Sequence, residues 1–117
     1  MNRELVQDWP ELAWKSARPD LTSGILACRL VPTGAVIQAV MLTKVEPRGL
    51  FSIHADEYNH VFLFIGGTGK GWVGNESYDI KPKMLVRVPA GTSHGYQNTS
   101  DSDLFLLTIN YSELDSS

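Results

Sequence analysis

Gly, Pro and Asn break this chain every few residues, and the runs between them are short and rich in β-branched and aromatic side chains. "VFLFI" (Val61 to Ile65) and "MLVRV" (Met84 to Val88) are typical. That pattern specifies many short strands. Strands are expected at about Ile25–Val31, Ala35–Val45, Phe51–Asp56, His60–Ile65, Gly71–Gly74, Glu76–Ile80, Met84–Val88, His94–Asn98 and Leu104–Tyr111. Pro32-Thr-Gly34 and Pro47-Arg-Gly49 place Pro and Gly where tight turns want them, and Gly74-Asn75 reads as a two-residue hairpin turn. Pro10-Glu-Leu-Ala-Trp-Lys-Ser is the only stretch fit for helix, and Pro19 limits it to one short N-terminal helix. Eight or nine strands in roughly 90 residues leave a sandwich or a closed barrel or jelly roll. The lone Cys28 lacks the partner an immunoglobulin-type disulfide would need, which disfavours that sandwich.

The 117 residues fit one domain, 1–117, with an N-terminal extension (1–24), a barrel (25–111) and a frayed tail (112–117). A net charge of −3 with no basic run argues against nucleic acid as partner. No apolar run approaches the roughly 18 to 20 residues that span a bilayer. The N-terminal "MNRELVQDWPELAWKS" has neither an apolar signal core nor an Arg-rich transit pattern, so a cytoplasmic protein without membrane contact is expected. On that basis the sequons Asn75-Glu-Ser77 and Asn98-Thr-Ser100 read as turns. Gly66-Gly-Thr-Gly-Lys70 is not a phosphate loop, because Gly71 follows the lysine and strands flank it; a hairpin turn is expected there.

The stretch "HADEYNH" (His54 to His60) holds two of the three histidines, and the third is His94. Alternation puts His54 and Asp56 on one face of a strand, with Phe51, Ile53 and Ala55 on the other. If the turn Glu57-Tyr58-Asn59 folds the next strand back beside the first, His60 joins the pair, on a face shared with Phe62 and Phe64. Pro89-Ala-Gly91 leads tightly into a strand that begins at His94. Three imidazoles and a carboxylate can then converge on one point. Such a set suits Fe, Mn, Ni, Co or Zn as a divalent ion. Four protein ligands leave two open positions on an octahedral ion and none on tetrahedral zinc. A polar surface turn without a metal is the competing reading.

These residues resemble two motifs of the cupin superfamily, G-x5-H-x-H-x3,4-E-x6-G and G-x5-P-x-G-x2-H-x3-N. The second is matched at Pro89, Gly91, His94 and Asn98. In the first, His54 takes the first His position, Asp56 the second, His60 the Glu position and Gly66 or Gly67 the closing glycine. Arg48 and Lys83 stand where the two opening glycines would be. About 65 residues are covered, Pro47 to Tyr111. The resemblance implies a double-stranded β-helix, that is, an all-β jelly-roll barrel. It also implies metal ligands at His54, Asp56, His60 and His94, and a homodimer. Relative to the family pattern, an imidazole and a carboxylate have traded places, so the donor count survives.

Tyr58, Phe62, Phe64, Tyr96 and Asn98 are the candidate pocket-lining residues, with the Tyr96 hydroxyl as a proton donor. Val61, Leu63 and Ile65 form a second apolar face, which the segment bearing Trp9, Leu12 and Trp14 or a second subunit has to cover. Two functions compete. One is a metal-dependent enzyme of dioxygenase, isomerase or lyase type acting on a small polar molecule. The other is a non-catalytic small-molecule-binding or sensing barrel with a structural metal or none. Arg48 and Arg87 are candidates to anchor an anionic substrate, although Arg87 alternates with Val86 and Val88 and is expected to face solvent.

Overall fold

The computed structural model describes residues 5–113. Its strands are β1 (Val6–Asp8), β2 (Lys15–Ser16), β3 (Leu26–Ala27), β4 (Val36–Val45), β5 (Leu50–His54), β6 (Asn59–Gly66), β7 (Gly69–Val73), β8 (Glu76–Ile80), β9 (Met84–Val88), β10 (His94–Gln97) and β11 (Leu104–Ser112). Two antiparallel sheets form a jelly-roll barrel, one ordered β1-β9-β6-β11-β4 and the other β5-β10-β7-β8. The only helix among the described residues is one 3₁₀ turn, Trp9–Glu11, with Pro10 inside it. No helix among them is long and apolar enough to cross a membrane.

Alternation decides which side chains fill the barrel. Phe62 and Phe64 of β6, Met84, Val86 and Val88 of β9, and Leu104 and Leu106 of β11 pack inward against Val73, Tyr78, Ile80 and Tyr96 of the facing sheet. Each such burial contributes about 1.5–3 kcal/mol. The outer face of the five-stranded sheet is apolar too, and the N-terminal segment covers much of it: Leu12 and Trp9 pack with Val61, Leu63, Leu85 and Ile109. Trp14 stays exposed but donates its indole N–H to the Trp9 carbonyl at 2.7 Å, bracing that cover.

Several expectations need correction. Residues 1–24 are more than an extension, because β1 within them pairs with β9 at the sheet's edge. The strand expected over Ile25–Val31 is reduced to β3, which pairs only with β2. Beyond it the chain lies against the outer apolar cluster, where the Leu30 carbonyl accepts a bond from Arg87 at 2.8 Å. Gly66 to Lys70 is no hairpin: β6 and β7 belong to different sheets, so this segment crosses between them. The true hairpin is β7–β8, turning at Gly74 with φ +58°. The expected tail lies largely outside the described residues, and Ser112 still belongs to β11.

Arg48 and Lys83, where the motifs carry glycine, both adopt left-handed backbone, with φ +68° and +65°. The turns therefore keep the glycine conformation without glycine, at a steric cost of about 1 kcal/mol each. Arg48 offsets this with bonds to the Thr99 and Ser100 carbonyls and an ion pair to Asp101. Lys83 has only backbone bonds, to the Phe64 carbonyl and from Trp9 N–H, which glycine would keep. Lys83→Gly is expected to stabilise the protein by up to about 1 kcal/mol, read as a raised urea midpoint with an unchanged m-value.

Candidate metal centre

His94 and His54 are direct cross-strand partners on β10 and β5. Next to them the ladder slips: His94 pairs with His54 and Tyr96 with Phe51, so two residues of β10 span three of β5. This β-bulge reverses the parity of β5. Phe51, expected on the far face, turns inward and stacks on the His54 ring with centroids 4.2 Å apart. Gly95 permits the bulge, because a Cβ there would lie 2.7 Å from the Phe51 carbonyl oxygen and 3.1 Å from Ile53 Cα.

His60 arrives from the opposite sheet. The expectation that β6 folds back beside β5 is wrong, since β6 pairs with β9 and β11. Both sheets turn inward at this end of the barrel, so His60 still meets His54 and Asp56, across the barrel instead of along one sheet. Asp56 lies in the loop after β5. Its backbone carbonyl accepts from Gly91 N–H at 2.8 Å, which ties this loop to the Pro89-Ala-Gly91 turn ahead of His94.

The four side chains meet at the Asp56 Oδ2 atom. His60 Nε2 lies 2.8 Å from it, His54 Nε2 3.1 Å and His94 Nε2 3.5 Å. Ligand atoms of His54, Asp56 and His94 all fall within 4.8 Å of one another, a group that could hold a metal ion. The other ring nitrogens are engaged. His54 Nδ1–H donates to the Ser52 carbonyl at 2.6 Å, His94 Nδ1–H to the Thr92 carbonyl at 2.9 Å and His60 Nδ1–H to Asn110 Oδ1 at 2.7 Å. Carbonyl oxygens only accept, so the neutral rings carry their protons on Nδ1 and turn lone pairs inward. In this neutral form four acceptors converge with no donor among them, although His60 and His54 lie within hydrogen-bond distance of the carboxylate. His94 Nε2 is buried and has no hydrogen-bond partner. A cation at the centre resolves both facts, and the donor set fits a divalent transition ion.

Electrostatics agree. Burial pushes the His94 imidazole below its ordinary pKa, against the Thr92 hydrogen bond, which favours the neutral ligand form. Burial would raise the Asp56 carboxyl, but in the protonated form of the imidazoles a hydrogen bond from His60 Nε2–H and the ring charges of His54, His60 and His94 outweigh this and hold it below the usual range.

A cavity of about 510 Å³ opens over the cluster. Tyr58, Phe62 and Tyr96 line it, together with Met41, Phe51 and Asn110. Phe64 lies deeper, fully buried against Tyr78 and Tyr96. Asn98, expected in the pocket wall, is fully buried elsewhere. Its amide donates to the Val45 and Ser102 carbonyls while its oxygen accepts from Ser100, so it knots the loop between β10 and β11. Arg48 is spent on the Thr99–Asp101 loop, and Arg87 faces the outer cluster. Asn110, which holds His60 in place, is a residue the sequence reading missed, along with the lining residues Met41 and Phe51. For Asn110 the signal was present, since in "LFLLTIN" it alternates inward with Leu104, Leu106 and Thr108, a polar residue ending an apolar face.

Comparison with known proteins agrees with the architecture. A family model described as a cupin domain matches residues 41–110. The fold is similar to a predicted oxalate decarboxylase from Thermotoga maritima (20% identity, TM-score 0.61, covering 67% of this chain and 68% of that one). It is also similar to the TT1209 protein of Thermus thermophilus (25% identity, TM-score 0.59, covering 74% and 91%). The Cnp3 cupin domain of Schizosaccharomyces pombe is a third match (11% identity, TM-score 0.61, covering 89% and 71%). Comparison with curated proteins gives no match.

Proposed function

The chain belongs to the cupin family, and on that footing we propose that it is a metal-dependent enzyme acting on a small molecule, with His54, Asp56, His60 and His94 holding one divalent transition ion. The observation that carries this is the buried, partnerless Nε2 of His94 facing two further imidazole nitrogens and a carboxylate. Such a cluster is unfavourable without a positive charge at its centre. The ion, when bound, supplies Lewis acidity or, if redox-active, dioxygen chemistry, which keeps the reaction within the dioxygenase, isomerase or lyase types.

The chain's own residues supply the rest. Burial raises the Tyr96 pKa, so the hydroxyl keeps its proton at neutral pH and can offer it to a bound molecule. Phe51, Phe62 and Tyr58 wall the cavity and thin out water around the reacting atoms. Asn110 holds the His60 tautomer that presents Nε2. A second reading, a non-catalytic binding barrel, draws on one observation: among the described residues lining the cavity, Asp56 is the only carboxylate and there is no lysine, so no separate general base stands ready.

Metal analysis of the purified protein, supplemented in turn with Fe, Mn, Ni, Co and Zn, tests the proposal. One ion per chain is expected, and sub-stoichiometric metal after every supplement sinks the enzyme reading. Stoichiometric redox-active iron that binds dioxygen analogues favours oxygenase chemistry, and a tightly held zinc without turnover favours the binding barrel.

A homodimer belongs to the same reading. The edge strand β4 leaves Val36, Ile37, Val40 and Leu42 exposed, and the edge strand β5 leaves Leu50 and Ile53 exposed. A long apolar edge of this kind calls for a cover. Sedimentation at micromolar concentration is expected to give twice the chain mass, with Val40→Lys giving the monomer; a wild-type monomer would remove this part of the reading.

A further inference from the structure

The cavity is unevenly equipped. Its walls are Met41, Phe51, Tyr58, Phe62 and Tyr96, with Phe51 and Met41 about half exposed at the opening. The two threonine hydroxyls that reach it, of Thr43 and Thr108, bond each other at 3.1 Å. Among the described residues lining it, none is Lys or Arg. Lys44 alternates with the lining residue Thr43 and is exposed on the other side of β4, while Arg48 and Arg87 are committed elsewhere. Among the described residues, no cationic side chain lines the place a bound molecule would take.

Charge counting then selects the ligand. Three neutral imidazoles and the Asp56 carboxylate bring one negative charge, and a divalent ion leaves the centre with a net charge of +1. One negative charge on the ligand completes neutrality. A second would sit uncompensated between aromatic walls, where a partly desolvated charge is costly. The apolar walls in turn reward a flat apolar body, through area burial and ring contacts.

Resting on the metal-site reading above, we propose that the molecule this cavity takes is a monoanion with an oxygen-donor head on a flat, aromatic-sized apolar body, and that small dianions of the oxalate kind are excluded. The similarity to a predicted oxalate decarboxylase thus extends to the fold and stops at the substrate. Met41 at the mouth and the absence of any arginine among the described lining residues set that limit.

Four probes separate head charge from body: benzoate, acetate, phthalate and oxalate. They are titrated calorimetrically into the full-length protein loaded with manganese, an ion that takes six ligands, with manganese retention read on the same samples. Benzoate is expected to bind at least ten-fold tighter than acetate, which lacks the body, and at least ten-fold tighter than phthalate, which carries the second charge. Met41→Arg, with affinities expressed per bound manganese, is expected to raise phthalate and oxalate affinity at least ten-fold by supplying the missing cation. Equal or tighter binding of oxalate or phthalate by the wild type overturns the proposal, as does a manganese-loaded protein that binds none of the four. Failure to take up manganese or any other divalent ion is a different result, read before any ligand is added; it removes the metal site itself.

Discussion

His94→Ala is expected to lower metal affinity at least about 100-fold, equivalent to about 2.8 kcal/mol, and to leave less than a tenth of an ion per chain after dialysis. Losing a partner that merely orients a ligand already costs 10–100-fold, and His94 is placed to be a ligand itself. Its ring is 1% exposed, with Nδ1–H fixed on the Thr92 carbonyl and Nε2 aimed at the Asp56 carboxylate from 3.5 Å. Calorimetric titration and metal analysis read the loss directly.

A second measurement excludes a merely structural histidine. In the metal-free protein the buried Nε2 has no partner, a condition that costs about 1–3 kcal/mol. His94→Leu removes that orphan while filling much of the same space. The metal-free variant is therefore expected to unfold at the same or a higher urea concentration than the metal-free wild type, by about 1 kcal/mol. If His94 were instead part of a satisfied polar network, the leucine variant would be destabilised and metal content would be indifferent to it. An undiminished ion content in His94→Ala removes His94 from the ligand set.

What the sequence made legible follows from parity. His60, Phe62 and Phe64 share a face because β6 keeps its register from His60 to Phe64, slipping against β11 only beyond that at Ile65, and its outer set, Val61 and Leu63, is apolar because the N-terminal segment packs over it. The Pro89-Ala-Gly91 entry was legible because Pro and Gly each do one local job there, with Gly91 at φ +83°. What escaped is what alternation cannot encode. The bulge in β5 depends on contact between two strands about forty residues apart in the chain, so nothing local to "LFSIH" announces that Phe51 turns inward. Sheet membership is also non-local. The turn Glu57-Tyr58-Asn59 looks the same whether it closes a hairpin or carries the chain across the barrel, and only the competition of β9, β10 and β11 for partners decides. Arg48 and Lys83 show a third limit: a left-handed turn imposed by its surroundings persists under side chains that would not choose it.

Gly95→Val is expected to destabilise the protein by about 3 kcal/mol and to impair the site at the same time. Gly95 is buried between His94 and Tyr96, both of which point into the barrel, so a side chain on it would point at β5. The obstruction there is backbone: the Phe51 carbonyl oxygen at 2.7 Å and Ile53 N and Cα at 3.1 Å from the new Cβ. Backbone in a paired strand cannot rotate aside as a side chain can, so β5 must move off β10, and overpacking of this kind costs about 1–3 kcal/mol or more. For a chain of this size that is a fall in Tm of roughly 10–20 °C. Because His54 pairs with His94 across this ladder and Phe51 stacks on His54, the displacement reaches the cluster, and weaker metal binding should accompany the lower Tm. Gly91→Ala provides the contrast. Its backbone is left-handed, but a Cβ there meets nothing within 4 Å, so it should lose only about 1 kcal/mol to backbone strain. Calorimetric scans of the two variants, with metal titrations on each, distinguish steric blockage of the bulge from generic loss of a glycine. Equal, small effects from both would mean that β5 can leave the ladder freely and that the bulge does not position His54.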